Sequence, residues 1–389
     1  MGDRAPPVRG RVVTVIGTAM RIVSVSNFFD THGGGLERVA AHLNREFADA
    51  GHDVAWAASD ADGLPKSPAR LIALHCANPT EKLTGLPMPL PGPRSIARLW
   101  RAVRDADAVV IHDALYVTSI LAMIFAKAAN KRAIMIQHIG VIPFTGPLLN
   151  GVMRLANAIV TRPMMAAADR LAFISATVRD DLLGAPPRRP SLLVFNGVDH
   201  SVFNAQRARA RDETRTRWGL PTDAPLAVFV GRFVDKKGLR ILRLLAQQRP
   251  DVHFALLGQG PIDPHEWDLA NVHPLGQQPQ EAIADLYRAA DMLLLPSVGE
   301  GYPLVVQEAM ACGLPVICGD GSARADPAAG RWLIGVDIDL TDPEGSAGRC
   351  AAAIDALKDA PVDTAGMAGY AAEAYDWRRM AAALLDGLC

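Results

Sequence analysis

Two glutamates eight positions apart, Glu300 and Glu308, stand in the stretch GEGYPLVVQEAMACGLPVI at 299–317. Glu300 is in a glycine-flanked turn. Glu308 is in an apolar run among Leu304, Val305, Val306, Ala309 and Met310. A carboxylate removed from water is costly unless something pairs with it. The partner of Glu308 is either a group of the chain, such as backbone or Arg232, or a ligand. Pro303 and Gly313 punctuate a helix, with Pro303 as its first residue and Gly313 past its end. The helix N-terminus then falls at Tyr302–Leu304, and the backbone of Pro303, Leu304 and Val305 can face an anion. Carboxylates accept hydrogen bonds from sugar hydroxyls. The stretch therefore suits a ligand with phosphate in the middle and a polyol at each end, the shape of a nucleotide sugar.

Two further stretches carry compatible chemistry. GRFVDKKG at 231–238 places Arg232 at a strand end and Lys237 just before a helix. Two cations outside the carboxyl end of a strand suit a diphosphate; two solvated surface charges are the plainer reading. FFDTHGGGLERVAAHLNREFADAGHDV at 28–54 runs strand, glycines, helix. Gly33, Gly34 and Gly35 let backbone approach a phosphate at the helix N-terminus, or simply make a tight turn. The stretch is neither G-x-G-x-x-G, since Arg38 stands where the last glycine belongs, nor a P-loop, since no Gly-Lys-Ser/Thr follows.

These residues need a scaffold that presents strand ends, and the chain alternates β-branched runs with helical periods, the pattern of parallel α/β architecture. Strands are expected near 21–26, 53–57, 70–75, 108–112, 133–137, 171–174 and 192–195, with helices at 35–50, 95–105, 115–129, 148–167 and 176–184. A second series runs 226–231, 252–258, 291–297 and 315–318, with helices at 238–248, 279–290 and 303–313. Between them, 196–225 opens on the turn signal Asn196-Gly197 and is charged and poor in apolar residues. The expected organisation is an N-terminal extension (1–19), a first Rossmann-like domain (20–195), a junction (196–225), a second Rossmann-like domain (226–370) and a terminal amphipathic helix (371–389).

Composition bounds the function. Of 389 residues half are hydrophobic, and the formal net charge is −1, without the basic face of a nucleic-acid binder. Cys76, Cys312, Cys318, Cys350 and Cys389 show neither zinc spacing nor a disulfide framework, which fits a reducing cytoplasm. No Asp-x-Asp pair suited to a metal is placed near these stretches, so the expectation is metal-free chemistry without a cofactor. The apolar stretch 114–129 is too short to span a bilayer.

Taken in order, GGGLERVAAHLNREFADAGHDV, VFNGVDHSVF, VGRFVDKKGL, ALLGQGP, ADLYRAADMLLLPS and EGYPLVVQEAMACGLPVI resemble the retaining glycosyltransferases of family 4, the group 1 glycosyltransferases of the GT-B fold. Glu300 and Glu308 fall on that family's E-x7-E motif. The resemblance implies two Rossmann-like domains facing a cleft, with a terminal helix that crosses back onto the first domain. It implies that Glu308 binds the ribose, that Glu300 contacts hydroxyls of the donor sugar, and that Arg232 and Lys237 neutralise the diphosphate. It places His138, in IMIQHIG, near the donor sugar and acceptor, with His112 of VVIHDAL a weaker counterpart; each is otherwise a core histidine. It also implies a hexosyltransferase that uses a UDP- or GDP-sugar in the synthesis of a cell-surface glycan or polysaccharide. One departure stands out: after PVIC the chain reads GDGSARADPAAG, where many relatives have a Gly-Gly pair and a further glutamate.

Two rival readings stay open. An NAD-dependent Rossmann enzyme would use Asp60 for its ribose but lacks the third glycine. A non-catalytic nucleotide-sugar-binding protein would keep the cradle without turnover. For the acceptor, the segment 141–171 carries Leu148, Leu149, Val152, Met153, Leu155, Ile159 and Val160 with Arg154 and Arg162 interleaved. A helix with apolar and basic faces can lie on a membrane, which points to a glycan or lipid-linked acceptor and to peripheral contact at the inner face. A helix covering the first domain's sheet gives the same pattern.

Overall fold

A computed structural model describes residues 19–78, 88–140, 151, 154–206, 209–360 and 362–386. Residues 1–18 of the expected extension (1–19) and residues Leu148, Leu149, Val152 and Met153 lie outside the described residues. The first half forms β1 (Arg21–Phe28), β2 (Asp53–Ser59), β3 (Arg70–Leu74), a small ribbon of β4 (Cys76–Ala77) and β5 (Leu90–Pro91), then β6 (Ala108–His112), β7 (Arg132–Gln137), β8 (Arg170–Phe173) and β9 (Leu192–Leu193). The second half forms β10 (Leu226–Val230), β11 (His253–Leu257), β12 (Val272–Gly276), β13 (Met292–Leu295), β14 (Val316–Gly319) and β15 (Leu333–Val336). Apart from the antiparallel ribbon, every pairing is parallel. The central strands are buried along nearly their whole length, as strands covered by helices on both faces must be.

The orders are β3-β2-β1-β6-β7-β8-β9 and β12-β11-β10-β13-β14-β15. In both, the chain builds outward from its first strand and then returns to that strand's other side. The crevices at these reversals, β1/β6 and β10/β13, are where an open α/β sheet receives ligands. Val23, Val25, Val109 and Ile111 lie in a core cluster on one face of the first sheet, while Ile22, Trp56, Val110 and Ile136 lie in a second on the other. A third core belongs to the second sheet and draws in Val198, Phe203 and Leu220 from the segment expected as a bare junction. Inside that segment the helix Arg211–Arg217 buries Arg215 completely.

Several elements depart from expectation. β12 and β15 were not anticipated: β12 (VHPLG) contains Pro274 and is half-exposed, an edge strand in which a missing N–H is tolerated. The terminal amphipathic stretch is two helices, Thr364–Ala374 and Trp377–Leu385, because the Asp376 carboxylate caps the second by accepting from Arg379 N–H at 2.7 Å. Pro303 is the N-cap of the helix Leu304–Ala311, not its first residue. The last helix does cross back. Trp377, Met380, Ala381, Leu384 and Leu385 join the first domain's core, Trp377 stacks on His42 at 4.6 Å, and Arg170 donates to the Ala383 and Leu384 carbonyls.

Candidate active site

The two reversal points face each other. A Cβ on Gly301, in the loop after β13, would overlap the His138 carbonyl oxygen just past β7. That position therefore needs glycine for the two domains to touch. On the second domain, the turn Asp235–Lys237 ends at Gly238, whose φ is +77° and whose missing side chain leaves room for the Pro296 carbonyl. This approach brings the ends of β10 and β13 together. Lys237 Nζ lies 3.0 Å from Glu300 Oε2, both side chains mostly buried, and Glu300 Oε1 has no partner. Arg232 is exposed and forms no ion pair among the described residues. The helix Leu304–Ala311 starts beside Glu300, and Leu304 packs against the first domain's core. Gln307 fixes this helix by donating to the Asn196 carbonyl at 2.9 Å.

Glu308 is buried, and its carboxylate receives neither a hydrogen bond nor an ion pair among the described residues. Burial pushes its carboxyl up to about 7; the opposing charge it feels is Arg38, on the first domain. Arg232 is not its partner. Arg38, which replaces the last glycine of a dinucleotide motif, instead faces Glu308 from across the cleft.

On the first domain, Gly33 has φ +79° and closes the turn Asp30–His32, Gly34 is the N-cap of the helix Gly35–Asp49, and Gly35 begins it. The side chain of Glu37 folds back against Gly34. The glycine loop therefore presents a buried carboxyl, itself pushed up by burial, together with its amides. His138 is 5% exposed, and its Nε2 lies 3.1 Å from His112 Nδ1. Burial pushes His112 down to about 3 and His138 well below its ordinary value, so both rings are neutral.

Sequence reasoning missed Asp113. Its φ of +60° puts it in the left-handed region, and Oδ1 accepts from the His138 and Ile139 N–H groups at 2.8 and 3.3 Å. Burial pushes this carboxyl up to about 7, while Oδ2 has no partner. The one available signal was its place directly after the strand-end histidine. Beside Glu300, a cavity of about 220 Å³ is lined by Ser297, Asp320, Ser322, Arg324 and Asp337, so the departing GDGSARAD stretch borders the site. Among the described residues no group of three His, Cys, Asp or Glu side chains is placed to hold a metal.

Two family models match this chain: Glycosyltransferase Family 4 over residues 33–202 and Glycosyl transferases group 1 over residues 210–355. The chain belongs to the group 1 glycosyltransferases. It is 32% identical over 243 residues to D-inositol 3-phosphate glycosyltransferase of Thermobispora bispora, covering 56% of this chain and 55% of that protein. It is 30% identical over 250 residues to alpha-maltose-1-phosphate synthase of Mycolicibacterium smegmatis, covering 58% and 64%. The chain thus spans about half the length of the first of these curated relatives and somewhat more of the second. Its fold matches sucrose-phosphate synthase of Thermosynechococcus elongatus (TM-score 0.72, 20% identity, 94% and 97% coverage). It also matches Anabaena Alr3699/HepE in complex with UDP-glucose (TM-score 0.68, 18% identity, 95% and 99% coverage). The architecture described above is therefore the GT-B fold of the group 1 glycosyltransferases, with the E-x7-E glutamates at the second domain's reversal point.

Proposed function

We propose that this group 1 glycosyltransferase moves a hexosyl group from a UDP- or GDP-sugar to an acceptor hydroxyl with retention and without a metal. The observation that carries the reading is Glu308: a buried carboxylate without a partner among the described residues, one turn inside a helix whose N-terminus adjoins Lys237 and Glu300. The ribose hydroxyls are the missing donors. Arg232, Lys237 and the amides of Leu304 and Val305 then surround the diphosphate, and Glu300 accepts from hydroxyls of the sugar. Because Glu37 shares the glycine loop, the second domain supplies most of the positive field.

In the reaction the acceptor oxygen forms a bond to the anomeric carbon on the face the diphosphate leaves. The carbon–oxygen bond to the diphosphate breaks, its electron pair stays on that oxygen, and the acceptor proton passes to the departing diphosphate. Preorganised cations and amides stabilise the growing charge. A membrane-proximal glycan or lipid-linked acceptor is supported by the helical segment before β8. There Leu155 and Ile159 are 60% and 63% exposed one helical turn apart, with Arg154 and Arg162 exposed beside them. No helix of the described residues is long and apolar enough to cross a membrane.

The test is a thermal-shift screen with UDP, GDP, ADP and their sugars, followed by NMR of the product's anomeric proton. The expected result is stabilisation by one nucleotide family, then transfer with retention that a chelator does not reduce. Inversion, strict dependence on Mg²⁺ or Mn²⁺, or binding without turnover on any acceptor would overturn the corresponding part. Co-sedimentation with anionic liposomes tests the membrane reading; a protein that stays in the supernatant points to a soluble acceptor.

A further inference from the structure

Three buried polar groups lie on three adjacent strands: Ser24 in the middle of β1, His112 at the end of β6 and His138 just past β7. Ser24 Oγ is 3.4 Å from His112 Nε2, and His112 Nδ1 is 3.1 Å from His138 Nε2. The two rings sit with centroids 5.3 Å apart and planes 23° apart. His138 Nδ1 has no partner.

We infer that His112 is a positioning residue: with Ser24 it fixes the proton arrangement of His138, so that His138 presents Nδ1–H as a donor to an oxygen of the bound nucleotide sugar. Both rings are neutral, so each carries one proton, and a hydrogen bond between them joins one N–H to one bare nitrogen. Ser24 decides the direction. Its hydroxyl is fully buried, and the sole acceptor in reach among the described residues is His112 Nε2. A buried donor left unmet costs more than an unused lone pair on an oxygen, so Ser24 donates. His112 Nε2 is then bare and its proton is on Nδ1. That proton is given to His138 Nε2, and the proton of His138 is on Nδ1. Both imidazoles hold the Nδ1–H form, the reverse of the form free histidine prefers. Asp113 holds the ring's backbone from the other side by accepting the His138 and Ile139 N–H groups. The contact of the His138 carbonyl with Gly301 puts this residue at the seam between the domains, next to Glu300. Remove the Ser24–His112 relay and His138 is free to carry its proton on Nε2, turning a bare lone pair toward the ligand's oxygens.

The part of this inference that concerns the ligand rests on the proposed glycosyl transfer; the proton arrangement does not. The experiment is ¹⁵N-histidine NMR of the full chain, assigned with His112→Asn and His138→Gln, without ligand and with UDP-glucose or the nucleotide sugar the screen selects. The expected result is Nδ1–H at both rings and a shift of the His138 Nδ1 resonance on adding ligand. Ser24→Ala should move the His138 proton to Nε2 in part or whole and lower kcat about tenfold, with nucleotide affinity unchanged. His112→Asn, whose amide reaches the place of Nδ1, should keep about tenfold more activity than His112→Leu. An Nε2–H proton on His138 in the parent protein, an unmoved proton in Ser24→Ala, or equal loss in the Asn and Leu variants would overturn the relay. If the tautomers are as stated but no donor turns over, the relay stands and the proposed reaction falls.

Discussion

Glu308 is buried without a hydrogen bond or ion pair among the described residues, so its charge weighs against the empty protein and, on the proposed ribose role, in favour of the loaded one. Its folded-state carboxyl titrates at about 7 against 4.5 ordinarily. Below 4.5 both folded and unfolded chains hold the proton and nothing is lost. As pH rises from 4.5 to 7 the unfolded chain releases its proton first, and stability falls, by at most about 3 kcal/mol above 7. Glu308→Gln carries no charge. It should melt higher than the parent at pH 8, with the advantage shrinking toward pH 4.5, and should bind the nucleotide roughly ten- to a hundredfold more weakly. Calorimetric scans across pH and a binding titration check both halves; a variant that melts lower at pH 8, or binds equally well, contradicts the assignment. The two cations should separate in the same way. Arg232 is exposed and forms no ion pair among the described residues, so Arg232→Ala should cost turnover about ten- to a hundredfold with an unchanged melting temperature. Lys237→Ala should lose turnover and also stability, because it strands Glu300. Equal turnover in both variants would remove them from the diphosphate. At this scale the glutamate pair was legible because its spacing and its apolar surroundings conflict. Asp113 and Glu37 were not, since a single carboxylate at a strand end or a helix start looks like an ordinary solvated residue.

At the scale of elements, the helix Arg211–Arg217 shows how polar a structural segment can be. Arg215, fully buried, donates to the Ala289, Pro221 and Ala224 carbonyls and to Asp291 Oδ2, at 2.9, 3.1, 2.8 and 2.8 Å. Arg215→Ala should cost about 3–5 kcal/mol, because it removes four charge-assisted hydrogen bonds from a buried site; Asp291 itself keeps Arg211 and the Leu226 N–H. For a domain of this size that is a fall of roughly 6–20 °C in its melting temperature; a fall under 2 °C would mean that water replaces the guanidinium. This segment was expected to be a bare junction because hydrophobic period was the guide, and here a guanidinium takes the place of apolar side chains. The same guide located β6, β10 and β13, whose apolar runs are nearly continuous, and β1 through Ile22, Val23 and Val25. It missed β12 and β15, edge strands with Pro274 and Gly335 in them, and merged the last two helices across the Asp376 cap.

For the molecule as a whole, the terminal helix does what a longer linker could not: it closes the chain back on its first domain. Trp377 contributes to that domain's core and lies against Gly197, where a Cβ would overlap it. Trp377→Ala should cost about 3–5 kcal/mol and split a single calorimetric transition into two, one for each domain. A single transition at the parent temperature would show that the domains are coupled elsewhere. The backbone passes between the domains near Asn196–Gly197 and again near Tyr375–Asp376, and the two passages are bonded to each other, Val198 N–H to the Tyr375 carbonyl at 2.9 Å. Two strands of a door's leather fastened at one nail leave only a swing. The covalent chain permits the halves to turn about that point without stretching either passage. The other contacts between the halves include Ala176 N–H on the Ala325 carbonyl, Thr177 Oγ1 on the Gly321 carbonyl, Leu304 against the first core and Gly301 against His138, none of them covalent. In such a turn the far rim of the cleft travels the greatest distance, so under the proposed reaction one pivot would serve both the entry of a sugar nucleotide and the departure of the spent one.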